Sequence, residues 1–207
     1  MIEPKLKRVV TFFDIQNFYL TSKNAWGSSY PDFDPAALST LVTSRHTDWK
    51  LTGIKLYTGL HDVKKNLHWH KFWMNKLNYH KSKDHRVTAF TTPLHYSGGC
   101  AHEKGIDIRI ALDLVRMART NDYDVALLFS SDSDFCEIAR EIRAIAREKD
   151  RWIKIVSVFP DTLKRGIDKT DWLPLSKDEY DKCTDTNNYL TDISVISATS
   201  ATEQTLR

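Results

Sequence analysis

Apolar and polar positions along this chain follow two periods, one of strands and one of helices. Arg8–Phe13 (RVVTFF) is a short apolar run of the kind buried on both faces of a parallel sheet. Phe18, Tyr19 and Leu20 predict a helical start, and NAWGSSYPDFDP then breaks the pattern with Gly, Pro and small polar residues. Asp34-Pro35 before AALSTLVT predicts a helix entry, because Asp caps free N–H groups and Pro is tolerated in a first turn. Gly53–Tyr57 reads as the second strand. VKKNLHWHKFWMNKLNYH reads as a helix, with Trp69, Trp73 and Leu77 at four-residue spacing. Arg86–Thr91 gives a third strand, and PLHYSGGCAHEKG after it reads as a flexible loop.

The second half repeats the alternation. IDIRIALDLVRMART carries Ile106, Ile110, Leu114 and Met117 on one helical stripe, leaving Arg109, Arg116 and Arg119 for water or substrate. Asp124–Phe129 is a strongly hydrophobic strand. Phe135–Lys149 is a helix whose Ile138, Ile142 and Ile145 can cover a sheet, and Trp152–Phe159 is a fifth strand. WLPL offers a short closing strand. Crossovers of this length permit parallel pairing, so the fold class is α/β with a central, mainly parallel sheet. A single domain over residues 1–182 is expected. From Cys183 to Arg207 the chain turns to Thr, Ser, Asn and Asp, and a polar, mobile tail is expected there.

A chain of 207 residues suffices for one substantial core. With 41% hydrophobic and 28% charged residues it has the make-up of a soluble globule, so no membrane association is expected. No apolar stretch reaches transmembrane length, and the Met1 region lacks the apolar core of a secretory signal. Three cysteines, Cys100, Cys136 and Cys183, make no disulfide framework; their odd number fits a reducing compartment, and a cytoplasmic location is expected. The net charge of +3 decides little, but its distribution does. His61–Arg86 holds seven Lys/Arg residues against Asp62 and Asp84, a local charge of +5, so the remainder is near −2. A basic segment beside an acidic centre suits a polyanion held by its backbone while one phosphate meets a cation.

That acidic centre is the most informative chemistry. Asp14 (VVTFFDIQN), Asp107 (EKGIDIRIALD), and Asp132 with Asp134 (VALLFSSDSDF) each stand where an apolar run meets a turn or helix start. Carboxylates at the carboxyl ends of parallel strands converge on one sheet edge. Together they repel unless protons or divalent cations intervene, and hard oxygen donors suit Mg²⁺ or Mn²⁺. Such ions polarise a phosphoryl oxygen and acidify water, which makes phosphodiester hydrolysis the natural chemistry. The plainer reading is that each acid caps a helix. Asn17 is placed to orient water or phosphate, or to form an Asx turn. Asp113, six residues beyond Asp107, reads as support behind the ligands or as a surface acid. Lys104 is placed to neutralise a phosphate or fix Asp107, or is simply exposed. Lys65, Lys71 and Lys76 are candidate RNA contacts beside Trp69 and Trp73, whose rings serve either the core or a nucleobase. Neither a P-loop nor a dinucleotide fingerprint is present, and the histidines lack the spacing of a structural zinc site.

FFDIQNFYL at 12–20, EKGIDIRIALDLV at 103–115 and LLFSSDSDF at 127–135 together resemble the NYN domain family, specifically its LabA-like branch in the PIN-like nuclease superfamily. The resemblance spans roughly residues 7–175. It implies a Rossmann-like three-layer sandwich and a metal-dependent endoribonuclease using Mg²⁺ or Mn²⁺. By the same resemblance Asp14, Asp107, Asp132 and Asp134 form the catalytic and metal-binding set, Asn17 the polar position after the first acid, and Asp113 a further recurrent acid. Ser131 departs from the pattern, standing where Gly is frequent. The expected substrate is single-stranded or loop-containing RNA. The alternatives are a catalytically inactive RNA-binding or regulatory module, or a DNA-directed nuclease. A monomer is favoured over a homodimer.

Overall fold

The computed structural model describes residues 1–190 except Ser29 and Gly99. The order of elements is β1 (Lys7–Asp14), α1 (Ile15–Trp26), α2 (Pro35–Ser44), β2 (Trp49–Leu60), α3 (Leu67–Lys83), β3 (Val87–Pro93), β4 (His95–Ser97) and β5 (Cys100–His102). Then come α4 (Ile106–Thr120), β6 (Val125–Phe129), α5 (Phe135–Glu148), β7 (Lys154–Pro160), a 3₁₀ turn at 161–163, β8 (Asp171–Leu175) and α6 (Lys177–Lys182). A six-stranded sheet runs β3-β2-β1-β6-β7-β8, every neighbouring pair parallel. The chain winds outward from β1 to β3, then returns to β6 and winds outward the other way. The strand order therefore reverses between β1 and β6, which is the switch point where open α/β sheets bind ligands.

Strand residues alternate between two faces because the side-chain period is two. Val9, Phe13, Leu127, Phe129 and Val158 face a core closed by α1, α2, α3 and α6. Val10, Phe12, Ala126, Leu128 and Ile155 face a second core closed by α4 and α5. Helices on both sides of a parallel sheet make the three-layer α/β sandwich expected above. The stripe Ile106, Ile110, Leu114 and Met117 is buried, and Asp34 accepts from the amides of Ala36 (2.7 Å) and Ala37 (3.0 Å) at the start of α2.

Three local expectations change. Helix α1 begins at Ile15, because Asp14 itself caps it by accepting from Asn17 N–H at 3.2 Å. The stretch after β3 carries a short antiparallel hairpin, His95↔His102 to Ser97↔Cys100, where a flexible loop was expected. The polar C-terminal stretch is packed at its start: Cys183 and Tyr189 are buried, and Asp185 reaches under α3 to Lys76 and His80. Residues 191–207, the rest of the expected tail, lie outside the described residues.

Candidate active site

The carboxyl ends of β1 and β6 lie side by side, with Phe13 level with Phe129. Asp14 ends β1 and the loop 130–134 follows β6, so two of the acidic segments meet by topology alone. Asp14 is 2% exposed. Its Oδ1 accepts from Asn17 N–H, and its Oδ2 accepts from the Ser130 hydroxyl at 3.3 Å. The same hydroxyl oxygen accepts from Asp132 N–H at 3.1 Å, and Asp132 Oδ1 accepts from Asp134 N–H at 2.9 Å. Asp132 therefore organises the turn into α5. The capping reading holds for Asp14 at α1, while Asp134, at the start of α5, makes no side-chain cap bond.

Helix α4 enters from the opposite layer. Gly105 caps its start at φ 81°, a left-handed conformation that costs a side-chain-bearing residue steric strain. That geometry presents Asp107 in the first turn, toward the loop after β6. Burial raises the Asp107 carboxyl above its ordinary range, and the charges of Asp132 and Asp134 raise it further. For Asp14, burial is the main cause, with Glu103 and Asp107 adding repulsion against the two hydrogen bonds; its pKa is pushed up to about 7. The four expected acids thus share one electrostatic neighbourhood.

A fifth carboxylate, Glu103, belongs with them, and sequence reasoning missed it. It accepts from Gly59 N–H and, at 3.4 Å, from the Thr58 hydroxyl. With the Gln16 amide turned so that its nitrogen faces the carboxylate, that nitrogen donates to both Glu103 oxygens at 3.2 and 3.0 Å. Gly59 leaves room for this contact: an added Cβ would press on the side chains of Leu94 and Glu103. Burial, and then repulsion from Asp107, raise the Glu103 carboxyl. The signal lay in the motif EKGID, where Lys104 drew attention instead.

The other sequence candidates divide. Asn17 braces the loop, its carbonyl oxygen accepting from Ser131 N–H at 2.9 Å. Lys104 is exposed beside Gly105. Asp113 is turned away into a cluster with Tyr57 (3.0 Å), Arg109 (3.0 Å) and Arg116 (2.8 Å). Lys65 and Lys71 are exposed. Lys76 corrects the expectation placed on it. It is 3% exposed, donates to Pro31 O at 3.1 Å and pairs with Asp185 at 3.0 Å, so it cannot reach RNA. Trp73 is buried and Trp69 half-buried.

Neighbouring carboxylates repel one another, and protons or cations relieve that repulsion. The donors are carboxylate, hydroxyl and amide oxygens with no thiolate or imidazole among them, the chemistry of a hard divalent cation. Among the described residues, no three Asp, Glu, His or Cys side chains stand close enough together to hold one metal ion as they lie. The site is an open acidic edge. Among the described residues, no helix is long and apolar enough to cross a membrane.

The family model described as "NYN domain" matches residues 8–168. A solved structure of a protein of unknown function from Vibrio parahaemolyticus superposes with a TM-score of 0.52 at 20% identity, covering 87% of this chain and 99% of that one. At that identity the likeness concerns the fold. No curated protein matches.

Proposed function

Because the chain belongs to the NYN domain family, within the PIN-like nuclease superfamily, we propose that it is a metal-dependent endoribonuclease acting on single-stranded or loop-containing RNA. The observation that carries this reading is the gathering of Asp14, Glu103, Asp107, Asp132 and Asp134 at the switch point of the sheet. Asp14, Asp107, Asp132 and Asp134, with Glu103 beside them, would hold Mg²⁺ or Mn²⁺. Bound there, such a cation supplies positive charge to the phosphoryl oxygens and acidifies water.

The chain's own residues prepare that edge. Burial pushes the Asp14 carboxyl up to about 7, so near neutral pH it would readily exchange a proton for a bound cation. Ser130 and Asn17 fix the loop on which Asp132 sits, and Gly59 with Gln16 fixes Glu103. The exposed Lys65 and Lys71 draw the RNA backbone toward an edge that would otherwise repel it. Lys104, exposed just before α4, would neutralise the scissile phosphate. The reducing-compartment cysteine pattern supports a cytoplasmic role, with the monomer as the acting form. That no three Asp, Glu, His or Cys side chains among the described residues stand close enough to hold one metal ion favours one other reading, an RNA-binding module without turnover.

Cleavage of structured and unstructured RNAs decides between them. Wild-type protein should cut with Mn²⁺ or Mg²⁺, stop in EDTA and recover with excess Mn²⁺. Folded protein that binds RNA but shows no metal-dependent cleavage of any of these substrates would establish the binding module instead.

A further inference from the structure

Between α1 and α3, above the end of β2, lies a cavity of about 140 Å³. Tyr19 and Leu20 of α1, Trp69 and Trp73 of α3, and Leu94 give it aromatic and aliphatic walls, and Gln16, Thr58 and His61 a polar edge. Glu103 lines it as well, so the cavity and the acidic centre share a wall. The Trp69 ring is stacked on Tyr30 with centroids 5.1 Å apart and meets the edge of Phe72 at 5.4 Å, which fixes its plane. Positive charge lies near the same rim: Lys65 Nζ sits 3.9 Å from the Tyr96 ring, and the Tyr96 hydroxyl is 3.1 Å from His61 Nδ1.

These features fit one kind of occupant. An apolar cavity of roughly 150 Å³ takes up a single benzene ring, so this one is the size of one six-membered ring. Aromatic walls bind bases of any sequence through their π-faces, provided the base is unstacked and unpaired. Aliphatic chains would leave the polar edge unmatched, and a base in a duplex has no access. We propose that the cavity receives one unpaired base of pyrimidine size, from the strand whose phosphate lies at the acidic centre. The identity of the polymer rests on the nuclease reading. The cavity adds that the strand must be unpaired at this nucleotide, and it names Trp69 as the contact that senses the base.

The test separates binding from turnover. Affinity of a short fluorescent oligouridine for the Asp132→Asn variant is compared with that of oligomers carrying one abasic nucleotide, scanned along the strand. One position should be sensitive, losing roughly 5- to 150-fold in affinity. In the same background Trp69→Ala should weaken the intact oligomer by a similar factor and make that abasic position indifferent, while Trp69→Phe restores most of the affinity. Leu20→Trp, which fills the cavity from an exposed position on α1, should mimic the loss even if Trp69→Ala folds poorly. Adenosine at the sensitive position should bind less tightly than uridine. No sensitive position, unchanged affinity in Trp69→Ala, or tighter binding of the purine each overturns the proposal. Wild-type cleavage with Mn²⁺ is scored separately. Cleavage without a base effect removes the cavity alone, and a base effect without cleavage removes hydrolysis and keeps the cavity.

Discussion

Asp14→Asn should cost the protein its chemistry and make it more stable, by an amount that depends on pH. The side chain is 2% exposed, and burial together with Glu103 and Asp107 lifts its pKa from an ordinary 3.8 to about 7. A raised carboxyl is a folded state that keeps a proton the unfolded chain has already released. Its contribution is therefore complete below the unfolded pKa and is lost as pH rises through the folded one. At about 1.36 kcal/mol for each pH unit between the two pKa values, the whole loss is about 4 kcal/mol, of which roughly 2–3 kcal/mol falls between about pH 5 and pH 8. Asparagine has the same shape and its oxygen can still accept from Asn17 N–H, but it carries no ionisable group. Urea unfolding of both proteins at a series of pH values, in EDTA, should show the variant's advantage growing by that 2–3 kcal/mol. In thermal melts the same gap is about 5–10 °C for a chain of this length. Saturating Mg²⁺ or Mn²⁺ should shrink the gap, because a ligand that binds only the folded wild type stabilises it by mass action. Parallel pH curves for the two proteins would refute the account of Asp14 as a buried, repelled carboxyl.

Glu103→Gln should leave the fold intact by circular dichroism yet lower metal-dependent cleavage roughly 10–100-fold, the loss usual when a partner of a metal centre is removed. Gly59→Ala should produce a similar drop together with about 1–3 kcal/mol of destabilisation in urea, since the new methyl group collides with Leu94 and displaces Glu103. Lys65→Gln combined with Lys71→Gln should weaken RNA binding and reduce the slope of log affinity against log salt by about 1.4, read by fluorescence anisotropy; an unchanged slope would place both lysines off the RNA path. Lys76→Gln should behave differently, losing about 1–3 kcal/mol of stability with the salt slope untouched, because Asp185 loses a buried cation but keeps its hydrogen bonds to His80 and Tyr189.

What the sequence determined by itself is whatever is written in local period and punctuation. The apolar runs ending at Phe13 and Phe129, and the stripe from Ile106 to Met117, specify strands and a helix because burial on one face repeats every two or every three to four residues. Asp14, and Asp132 with Asp134, stand just past the two strand runs and are carried to the sheet edge, and Asp107 stands in the first turn of α4, so where these acids lie was legible in the sequence. The start of α1 was not, because Asp14, read in the sequence as an acid of the candidate site, also caps the helix. Only the tertiary structure decided where each charge finds its partner. Glu103 enters the site because Gly59, 44 positions away, offers its amide across the end of β2. Asp113 leaves it because Tyr57, Arg109 and Arg116 claim its oxygens. Lys76 looks like an RNA contact in a basic helix and is buried instead, because Asp185, 109 positions on, folds beneath it. Periodicity encodes which face of an element is covered, but a charge is neutralised by whatever the fold brings within about 4 Å of it, and that partner leaves no mark on the local sequence.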